Sequence, residues 1–275
     1  MSAAPPPAPP PPPVPVEPAG HDLLAGKVAV VTAAAGTGIG SATARRLLAE
    51  GATVVVSDAH ERRLGETAAA LTGVARADGS PGPAPLAVPC DVTDEDQVQA
   101  LFAAARDAHG RLDVVVNNAG LGGTADIVEM TDEQWARVVD VTLTGTLRCV
   151  RAALRIMCPQ GAGVIVNNAS VLGWRAQAGQ AHYAAAKAGV MALTRSAAAE
   201  AAPHGVRVNA VAPSLAMHPF LAKVTTDELL AELSQREAFG RPAEPWEVAT
   251  VIAFLASDYS TYMTGEVVSV SSQHP

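Results

Sequence analysis

Short apolar segments rich in valine alternate along this chain with longer stretches of helical pattern. Most of these segments are apolar on both faces, which is typical of strands in a buried parallel sheet. They lie at 27–32, 52–58, 85–92, 112–119, 163–170, 206–213 and 266–271. The helical patterns between them lie at 39–50, 60–73, 94–109, 132–157, 181–202 and 245–257. The alternation predicts an α/β fold, with a single doubly wound parallel sheet of about seven strands and helices on both faces.

Two threonines mark helix starts in this pattern. Thr93 with Asp96, and Thr131 with Gln134, have the spacing of a capping box. In such a box the threonine hydroxyl accepts a hydrogen bond from a free backbone N–H at the helix start. We therefore expect these pairs to cap the third and fourth helices.

The regions outside the alternation define the domain boundaries. Residues 5–18 are mostly proline, which excludes helix and favours an extended segment, so residues 1–20 are expected to be a disordered tail. Residues 21–275 are expected to form one domain. The irregular stretch 213–241 follows a late strand and carries a short helical pattern at 226–237, which makes it a candidate substrate lid.

Charge and composition exclude several classes of function. The formal net charge of -8 argues against a nucleic-acid partner. No apolar run approaches the ~20 residues that a membrane span needs, and the N-terminus lacks the features of a signal peptide. The three cysteines, Cys90, Cys149 and Cys158, have no metal-ligand spacing. This favours a reduced cytoplasmic protein without a metal site.

Residues 32–40 read TAAAGTGIG, between a strand and a helix. Glycines at such a junction let the backbone approach a phosphate, and the helix N-terminus favours its negative charge. The spacing of Gly36, Gly38 and Gly40 is GxGxG rather than GxGxxG, so the glycines alone leave a nucleotide site and a sharp turn both open. Asp58 ends the second strand, where a carboxylate can bind a ribose 2′-hydroxyl and would repel a 2′-phosphate. This favours NAD over NADP, against the alternative that Asp58 only caps a helix.

Three side chains form a candidate catalytic group. Tyr183 and Lys187 are four residues apart, so on a helix they share one face. An unperturbed tyrosine has a pKa of about 10, and a nearby ammonium stabilises the phenolate and lowers that pKa. Ser170 ends the fifth predicted strand and could reach the same point. A YxxxK pair alone is weak, because its ordinary alternative is a surface helix pair, but Ser170, the glycine loop and Asp58 make chance improbable.

Two further strand ends carry polar or turn-forming residues. Asn117 begins NNAG (117–120), where an asparagine lies at the edge of a nucleotide crevice or simply satisfies turn backbone. NAVAPS (209–214) ends the sixth strand, and its Pro213 fits a turn that carries the backbone past a nicotinamide.

These motifs, in this order, resemble those of the short-chain dehydrogenases/reductases over residues 22 to about 272. The resemblance implies a Rossmann-type, NAD(P)-dependent enzyme, usually a homotetramer. It implies that Ser170 orients the substrate oxygen, that Tyr183 is the general acid/base, and that Lys187 binds the nicotinamide ribose and depresses the pKa of Tyr183. The cofactor-binding residues that it implies are Thr32, Gly36, Gly38, Ile39, Gly40, Asp58, Asp91, Val92, Asn117, Ala119, Gly120, Tyr183, Lys187, Pro213 and Ser214.

The chain departs from the family pattern at three places. The phosphate loop has one extra residue and carries Ala33 at the usual first glycine, so we expect Gly36 to supply the turn flexibility that Ala33 cannot. Thr142 stands where the family often has an asparagine that helps to hold a proton-relay water. The threonine after the family's PG motif is absent, and Ser214 and His218 follow Pro213 instead.

Substrate residues are expected near Ser170 and in the lid. The candidates are Trp174, for a flat apolar body, and Arg175, for a carboxylate or a CoA phosphate, with His218 and Phe220 in the lid. NNASVLGWRAQ, EAFGRPAEPWEVA and TGEVVSVSSQHP further resemble bacterial dehydrogenases of steroid C/D-ring breakdown. That resemblance implies oxidation of a ring hydroxyl on a methyl-indane propionate or its CoA thioester. The alternatives are a 3-oxoacyl-thioester reductase and, from another class, a non-catalytic nucleotide sensor.

Overall fold

A computed structural model describes residues 14–217 and 227–273 of the protein. Its strands are β1 (Val28–Val31), β2 (Thr53–Asp58), β3 (Leu86–Pro89), β4 (Val114–Asn117), β5 (Gly163–Asn168), β6 (Val206–Pro213) and β7 (Val267–Val270). All strand pairs are parallel, in the order β3-β2-β1-β4-β5-β6-β7. The single parallel sheet predicted from the alternation is therefore confirmed.

The helices cover both faces of the sheet. They are α1 (Ile39–Ala49), α2 (Glu61–Leu71), α3 (Glu95–His109), α4 (Asp132–Val139), α5 (Gly145–Gln160), α6 (Ala181–Ala201), α7 (Asp227–Arg236) and α8 (Pro245–Ala256). Alternate strand residues point to opposite faces, so Val54 and Val56 pack with α1, α2 and α8, whereas Val55 packs with α3, α5 and α6. A large apolar core on each face thus holds the helices against the sheet.

The predicted helix 132–157 is divided into three parts. An α-helical α4 and α5 flank a π-helical turn at Asp140–Thr144. Such a turn carries an extra residue and is common at functional sites, and the apolar periodicity alone did not reveal it. Thr131 and Gln134 form the expected capping box. The cap expected from Thr93 is wrong, because Asp94 accepts the backbone N–H groups at the start of α3 instead.

The predicted tail is attached to the domain before residue 20. Arg46 and Glu50, a buried ion pair at the end of α1, bind backbone groups of residues 18–23, and Arg45 pairs with Glu17. Contacts with the domain therefore begin at Glu17. The predicted tail over residues 1–20 remains an expectation, and residues 1–13 lie outside the described part of the chain.

The predicted lid region contains helix α7, as expected from the pattern at 226–237. Its flanks are held by backbone bonds, from Ala243 N to Leu215 O at 2.8 Å and from Met217 N to Ala243 O at 3.0 Å. His218 and Phe220 lie outside the described residues. None of the described helices combines the length and apolarity that crossing a membrane requires.

Candidate active site

The carboxyl ends of β1, β4, β5 and β6 lie side by side in the sheet. Ligands of open parallel sheets bind beyond this edge. The edge gathers Thr32 after β1, Asn117 at the end of β4, Ser170 shortly after β5 and Pro213 at the end of β6. Parallel strand order thus brings the separate sequence motifs together.

The phosphate loop has an unexpected backbone conformation. Gly36 has φ 92°, as its predicted role in the turn requires, but Ala33 also lies in the left-handed region, with φ 49°. The prediction that Ala33 cannot adopt such a conformation is therefore wrong. Asn118 Nδ2 donates to Ala33 O at 3.0 Å. A Cβ on Gly40 would lie 2.3 Å from the same oxygen, so Gly40 must be glycine for this packing.

A cavity of about 410 Å³ opens beside this loop. Five of the predicted cofactor residues line it, namely Asp58, Asp91, Val92, Ala119 and Gly120, and Ala33 of the loop lines it as well. The sequence did not indicate the lining residues Ala59, Cys90, Thr93, Leu121, Arg137, Asp140 and Val141. Four of these lie within a predicted strand or at most two residues after one, whereas those on α4 and the π-helical turn lacked such a signal.

The carboxylate of Asp58 is fixed at the wall of this cavity by two backbone groups. Oδ2 accepts from Ala35 N at 3.2 Å and Oδ1 accepts from His60 N at 2.8 Å. The residue at the N-cap of α2 is His60, so Asp58 does not cap the helix in the way that the alternative required. Carboxylate oxygens have about four lone-pair sites, which leaves acceptor capacity toward the cavity.

Asparagines join the phosphate loop to the catalytic strand. Asn117 is buried beneath the edge, where its Nδ2 donates to Asn167 Oδ1 at 2.8 Å, so the structure places it below the crevice rather than on its wall. Its neighbour Asn118 holds Ala33 and accepts at Oδ1 from Asn168 Nδ2 at 2.8 Å. Asn117 was the predicted cleft residue, whereas Asn118 and Asn168 make the contacts that join the phosphate loop to β5.

Ser170, Tyr183 and Lys187 meet at this edge. Ser170 precedes a short turn at Val171–Gly173 and shares a hydrogen bond with the Tyr183 hydroxyl. Lys187 Nζ lies 5.6 Å from the centre of the Tyr183 ring and donates to Asn168 O. The four-residue spacing on α6 therefore places both side chains on the face that meets Ser170.

Burial dominates the ionisation of this pair. It raises the pKa of Tyr183 to about 12, and the hydrogen bond from Ser170 only partly opposes it. It lowers the pKa of Lys187 to about 8. The lysine therefore loses its proton well below the pH at which the tyrosine would ionise. Because desolvation disfavours both charges, burial outweighs the lowering of the Tyr183 pKa that was expected from Lys187.

A glycine-rich segment packs on the same helix face. A Cβ on Gly120 would lie 3.3 Å from Lys187 Nζ, and one on Gly123 would lie 3.2 Å from His182 Nε2. His182 is buried, and its Nδ1 accepts the Tyr183 backbone N–H at 2.9 Å. His182 belongs to no motif that marks it as a site residue in the sequence. Its burial beside Tyr183 depends on the long-range packing of residues 120–123, which no local pattern reveals.

Thr142 is buried and its hydroxyl is engaged by the backbone. Oγ1 accepts from Leu121 N at 3.0 Å and donates to Leu121 O at 3.2 Å. From within the π-helical turn, Thr142 anchors the glycine-rich segment that packs against Lys187. Its expected role at the position of the family's relay asparagine stays a prediction.

The substrate side is built from the turn after Ser170 and from the chain's C-terminal segment. Trp174 is 47% exposed at the rim. Arg175 donates to the side chain and the backbone oxygen of Gln273. Ser214 N donates to Val270 O at 3.2 Å, which continues the pairing of β6 and β7 past Pro213. The structure therefore places Trp174 and Arg175 beside Ser170, as expected, and adds Gln273.

This fold and site define a class of protein. A sequence profile of the family described as "Enoyl-(Acyl carrier protein) reductase" matches residues 33–272. Together with near full-length relatives, this match shows that the chain belongs to the short-chain dehydrogenase/reductase family. It is an oxidoreductase that acts on an alcohol or ketone with a nicotinamide cofactor.

Particular relatives narrow the comparison. The chain is 65% identical over 95% of its length to the (5R,7aS)-5-hydroxy-7a-methyl-1-oxo-2,3,5,6,7,7a-hexahydro-1H-indene-carboxyl-CoA reductase of Mycobacterium tuberculosis, covering 98% of that protein. It is 46% identical to the cis-4-hydroxycyclohexanecarboxylate dehydrogenase of Sinomonas cyclohexanicum, covering 90% of this chain and 96% of the relative. A solved short chain dehydrogenase from Mycobacterium smegmatis matches with a TM-score of 0.82 and 60% identity, covering 95% of this chain and 98% of that one.

The residues at the edge fit a nicotinamide dinucleotide. The phosphate loop leaves the start of α1 without a side-chain cap at Gly38, so its backbone N–H groups are available to an anion. Asn168 Oδ1 is buried and has no hydrogen-bond partner in the described part of the chain. A buried acceptor of this kind is usually satisfied by a ligand or water.

Proposed function

We propose that this protein interconverts a ring hydroxyl and a ring ketone on a bicyclic methyl-indane carboxylic acid, carried as its CoA thioester. The observation that carries the proposal is the 65% identity over nearly the whole chain to a reductase of such a thioester. The second relative is named for a hydroxyl on a six-membered ring that bears a carboxylate. Both names therefore combine a ring carbinol with an acyl group, which supports a ring alcohol rather than a linear one.

Three side chains carry the protein's part of the reaction in this proposal. Ser170 and the Tyr183 hydroxyl hold the substrate oxygen between them, since they already share a hydrogen bond. Tyr183 takes the hydroxyl proton in oxidation and returns it in reduction. Lys187 holds the nicotinamide ribose. The bound cofactor supplies or accepts the hydride.

The cofactor is proposed to be NAD rather than NADP. Asp58 lines the cavity at the end of β2 and its carboxylate is fixed by Ala35 and His60. A fixed carboxylate accepts from a ribose 2′-hydroxyl and repels a 2′-phosphate. Asp91 and Val92, which line the same cavity after β3, are proposed to flank the adenine. With NAD the cellular direction is proposed to be oxidation.

The proposed substrate lies against Trp174 and Arg175. The half-exposed indole offers an apolar face for fused rings, and the guanidinium offers charge-assisted bonds to an anionic group. His218 and Phe220 remain proposed lid contacts. Thr142 is proposed to act on the site only through the Leu121 backbone.

The family resemblance further supports a cytoplasmic homotetramer with a small-molecule substrate. Light scattering of the purified full chain tests this assembly: a mass of four chains supports it, and a monomer or dimer excludes it.

The alternative enzyme is a 3-oxoacyl-thioester reductase, which needs the same catalytic groups. Asp58 disfavours it, because such reductases usually use NADPH. A non-catalytic nucleotide sensor is disfavoured by the convergence of Ser170, Tyr183 and Lys187.

The deciding experiment measures NADH formation at 340 nm with several alcohols. These are the hydroxylated methyl-indanone acyl-CoA, its free acid, cis-4-hydroxycyclohexanecarboxylate and 3-hydroxybutyryl-CoA. We expect the bicyclic thioester to give the highest kcat/KM. Turnover of the linear thioester alone would assign the protein to acyl-chain metabolism, and no turnover of any alcohol would support the sensor.

A further inference from the structure

A buried carboxylate joins three distant segments on the substrate side. Glu237 follows α7 and is only 3% exposed. It accepts hydrogen bonds from Leu215 N at 3.3 Å, from Ser272 Oγ at 2.7 Å and from Gln273 Nε2 at 2.7 Å. All three donors are neutral. A buried carboxylate held by neutral groups gives little net stability. We therefore infer that the main effect of Glu237 is to fix the positions of the groups that donate to it.

Glu237 fixes the orientation of the Gln273 amide, and the amide in turn contacts Arg175. The Gln273 NH₂ group donates to Glu237, and its amide oxygen accepts from Arg175 Nη1. A carboxylate only accepts and a guanidinium only donates. Rotating the amide by half a turn would therefore face acceptor with acceptor on one side and donor with donor on the other. Glu237 thus dictates which end of the amide Arg175 meets.

Arg175 is fixed in orientation by two bonds to the same residue. Nη1 donates to the Gln273 side chain, and Nη2 donates to the Gln273 backbone oxygen at 3.2 Å. The backbone of Arg175 is tied as well, since its N–H donates to Val171 O at 3.0 Å, in the turn that starts at Ser170. The plane of the guanidinium is therefore set relative to the catalytic serine.

Backbone bonds attach the same network to both flanks of the predicted lid. Ala238 N donates to Ser272 O at 3.2 Å, and Ala243 pairs with Leu215 and Met217. The C-terminal segment, the two flanks of the lid and the turn after Ser170 therefore form one connected unit. A change at Gln273 reaches the substrate side without touching the cofactor cavity.

We propose that Glu237 and Gln273 are positioning residues for substrate recognition, which hold Arg175 in place to bind an anionic oxygen group of the acyl substrate. The inference rests on the proposed function, since it concerns the same substrate site. The anionic group is either a carboxylate of the free acid or a phosphate of CoA. A guanidinium attracts either group through its permanent positive charge, and one that is held in one plane binds it at lower entropic cost than a mobile side chain.

The test compares Gln273→Ala, Glu237→Gln, Arg175→Ala and the Arg175→Ala/Gln273→Ala double variant with the unchanged chain. In each variant we expect KM for the bicyclic thioester to rise about tenfold, as for loss of one charge-assisted contact, with kcat and the KM for NAD within about twofold. The double variant should equal Arg175→Ala, because Gln273 acts through Arg175. Glu237→Gln keeps the size of the side chain but can donate as well as accept, so it no longer fixes the amide.

The matched control is Gln99→Ala. Gln99 Nε2 donates to Glu95 Oε1 at 2.8 Å, and Arg151 pairs with the same carboxylate at 2.6 Å. This trio contains the same three residue types on the outer helices α3 and α5, but the carboxylate rather than the amide is the central group, so Gln99 does not orient the arginine. We expect Gln99→Ala to leave every kinetic constant unchanged.

The choice of substrates separates the possible outcomes. A KM effect confined to thioesters assigns the anion to CoA, and an effect confined to the free acid assigns it to the carboxylate; either supports the inference. Normal Gln273→Ala and Glu237→Gln kinetics, or additive effects in the double variant, would overturn it. If the unchanged chain uses only 3-hydroxybutyryl-CoA and the variants still raise that KM, the proposed substrate fails and the positioning role stands.

Discussion

The cofactor half and the substrate half of this active site are built in different ways. The cofactor half consists of the ends of β1, β2, β3 and β4, where most of the contributing residues lie at the end of a strand or within a few residues of it. The substrate half is assembled by contacts between segments far apart in the chain, such as Arg175 with Gln273, 98 residues away, and Leu215 with Glu237. The residues of the cofactor half can therefore be predicted from local sequence, whereas those of the substrate half depend on tertiary packing.

The two halves of the active site meet at Tyr183, and substitution of this residue should have the largest effect on activity. Tyr183→Phe removes the hydroxyl that bonds to Ser170 and carries the proton. We expect kcat to fall by about 10³-fold or more, as for loss of a general acid/base, while NADH still binds. NADH fluorescence titration and the 340 nm assay measure the two quantities.

A matched control for this substitution is Tyr259→Phe, at a tyrosine that is 75% exposed. It should behave like the unchanged chain. If Tyr183→Phe retained turnover, Tyr183 would not be the acid/base, and the two halves would meet at some other group.

The second-largest expected effect is on the pH dependence of kcat/KM, which should differ between oxidation and reduction. Burial raises the pKa of Tyr183 to about 12, so the residue holds its proton at neutral pH. It is then ready to act as an acid in ketone reduction but must lose the proton to act as a base in oxidation. We expect kcat/KM for the alcohol to rise with pH from 7 to 9, by up to about tenfold per unit.

Reduction provides the comparison for this pH profile. Its kcat/KM should not rise over the same range, and it should fall above a pH of about 8 if the charge of Lys187, whose pKa burial lowers to about 8, is needed on the ribose. An oxidation rate independent of pH from 6 to 9 would mean that Tyr183 is already a phenolate when the cofactor is bound. The positive charge of the nicotinamide ring would then lower the pKa of Tyr183 by more than burial raises it.

The residues that could be predicted from the sequence and those that could not are divided between the same two halves. The Val-rich strands and amphipathic helices specify the parallel sheet, and residues that follow strands, such as Asp58, Asp91 and Gly120, lie at the cavity as expected. Asn168, His182 and Gln273 were not found, because each acts through a partner that is distant in sequence. The π-helical turn at Asp140–Thr144 was missed because one inserted residue barely changes the apolar period.

The third prediction concerns cofactor choice in the cofactor half. Asp58→Ala removes the carboxylate that is proposed to bind one ribose hydroxyl and to repel a 2′-phosphate. We expect the ratio of kcat/KM for NAD over NADP to fall by about tenfold or more, as for loss of a hydrogen bond to a charged group. Steady-state assays with both cofactors measure it.

The carboxylate also has a structural role that the control must separate. It accepts from Ala35 N and His60 N, so Asp58→Asn, which keeps one acceptor and removes the charge, accompanies the alanine variant. A preference for NAD that survives both changes would show that Asp58 serves the loop and not the ribose.

The smallest expected effect tests the one place in the cofactor half where sequence reasoning was wrong. Ala33 has φ 49°, a conformation that strains a residue with a Cβ by ~1–2 kcal/mol. Ala33→Gly relieves that strain but gives the unfolded chain more freedom, worth roughly 0.4–1 kcal/mol. We therefore expect a net stabilisation of up to about 1 kcal/mol in denaturant unfolding, with affinity for NADH changed by less than about twofold.

Asp22→Gly is the control for this last prediction, because Asp22 is the other described residue outside glycine with positive φ, at 58°. Asp22 lies on the surface before β1, and aspartate tolerates the left-handed region better than alanine does. Its replacement should stabilise the protein less than Ala33→Gly. If Ala33→Gly instead destabilised the protein or weakened NADH binding, the loop would need the stiffness of alanine to hold its shape. The extra residue in TAAAGTGIG would then be compensated by rigidity at Ala33 rather than by flexibility at Gly36.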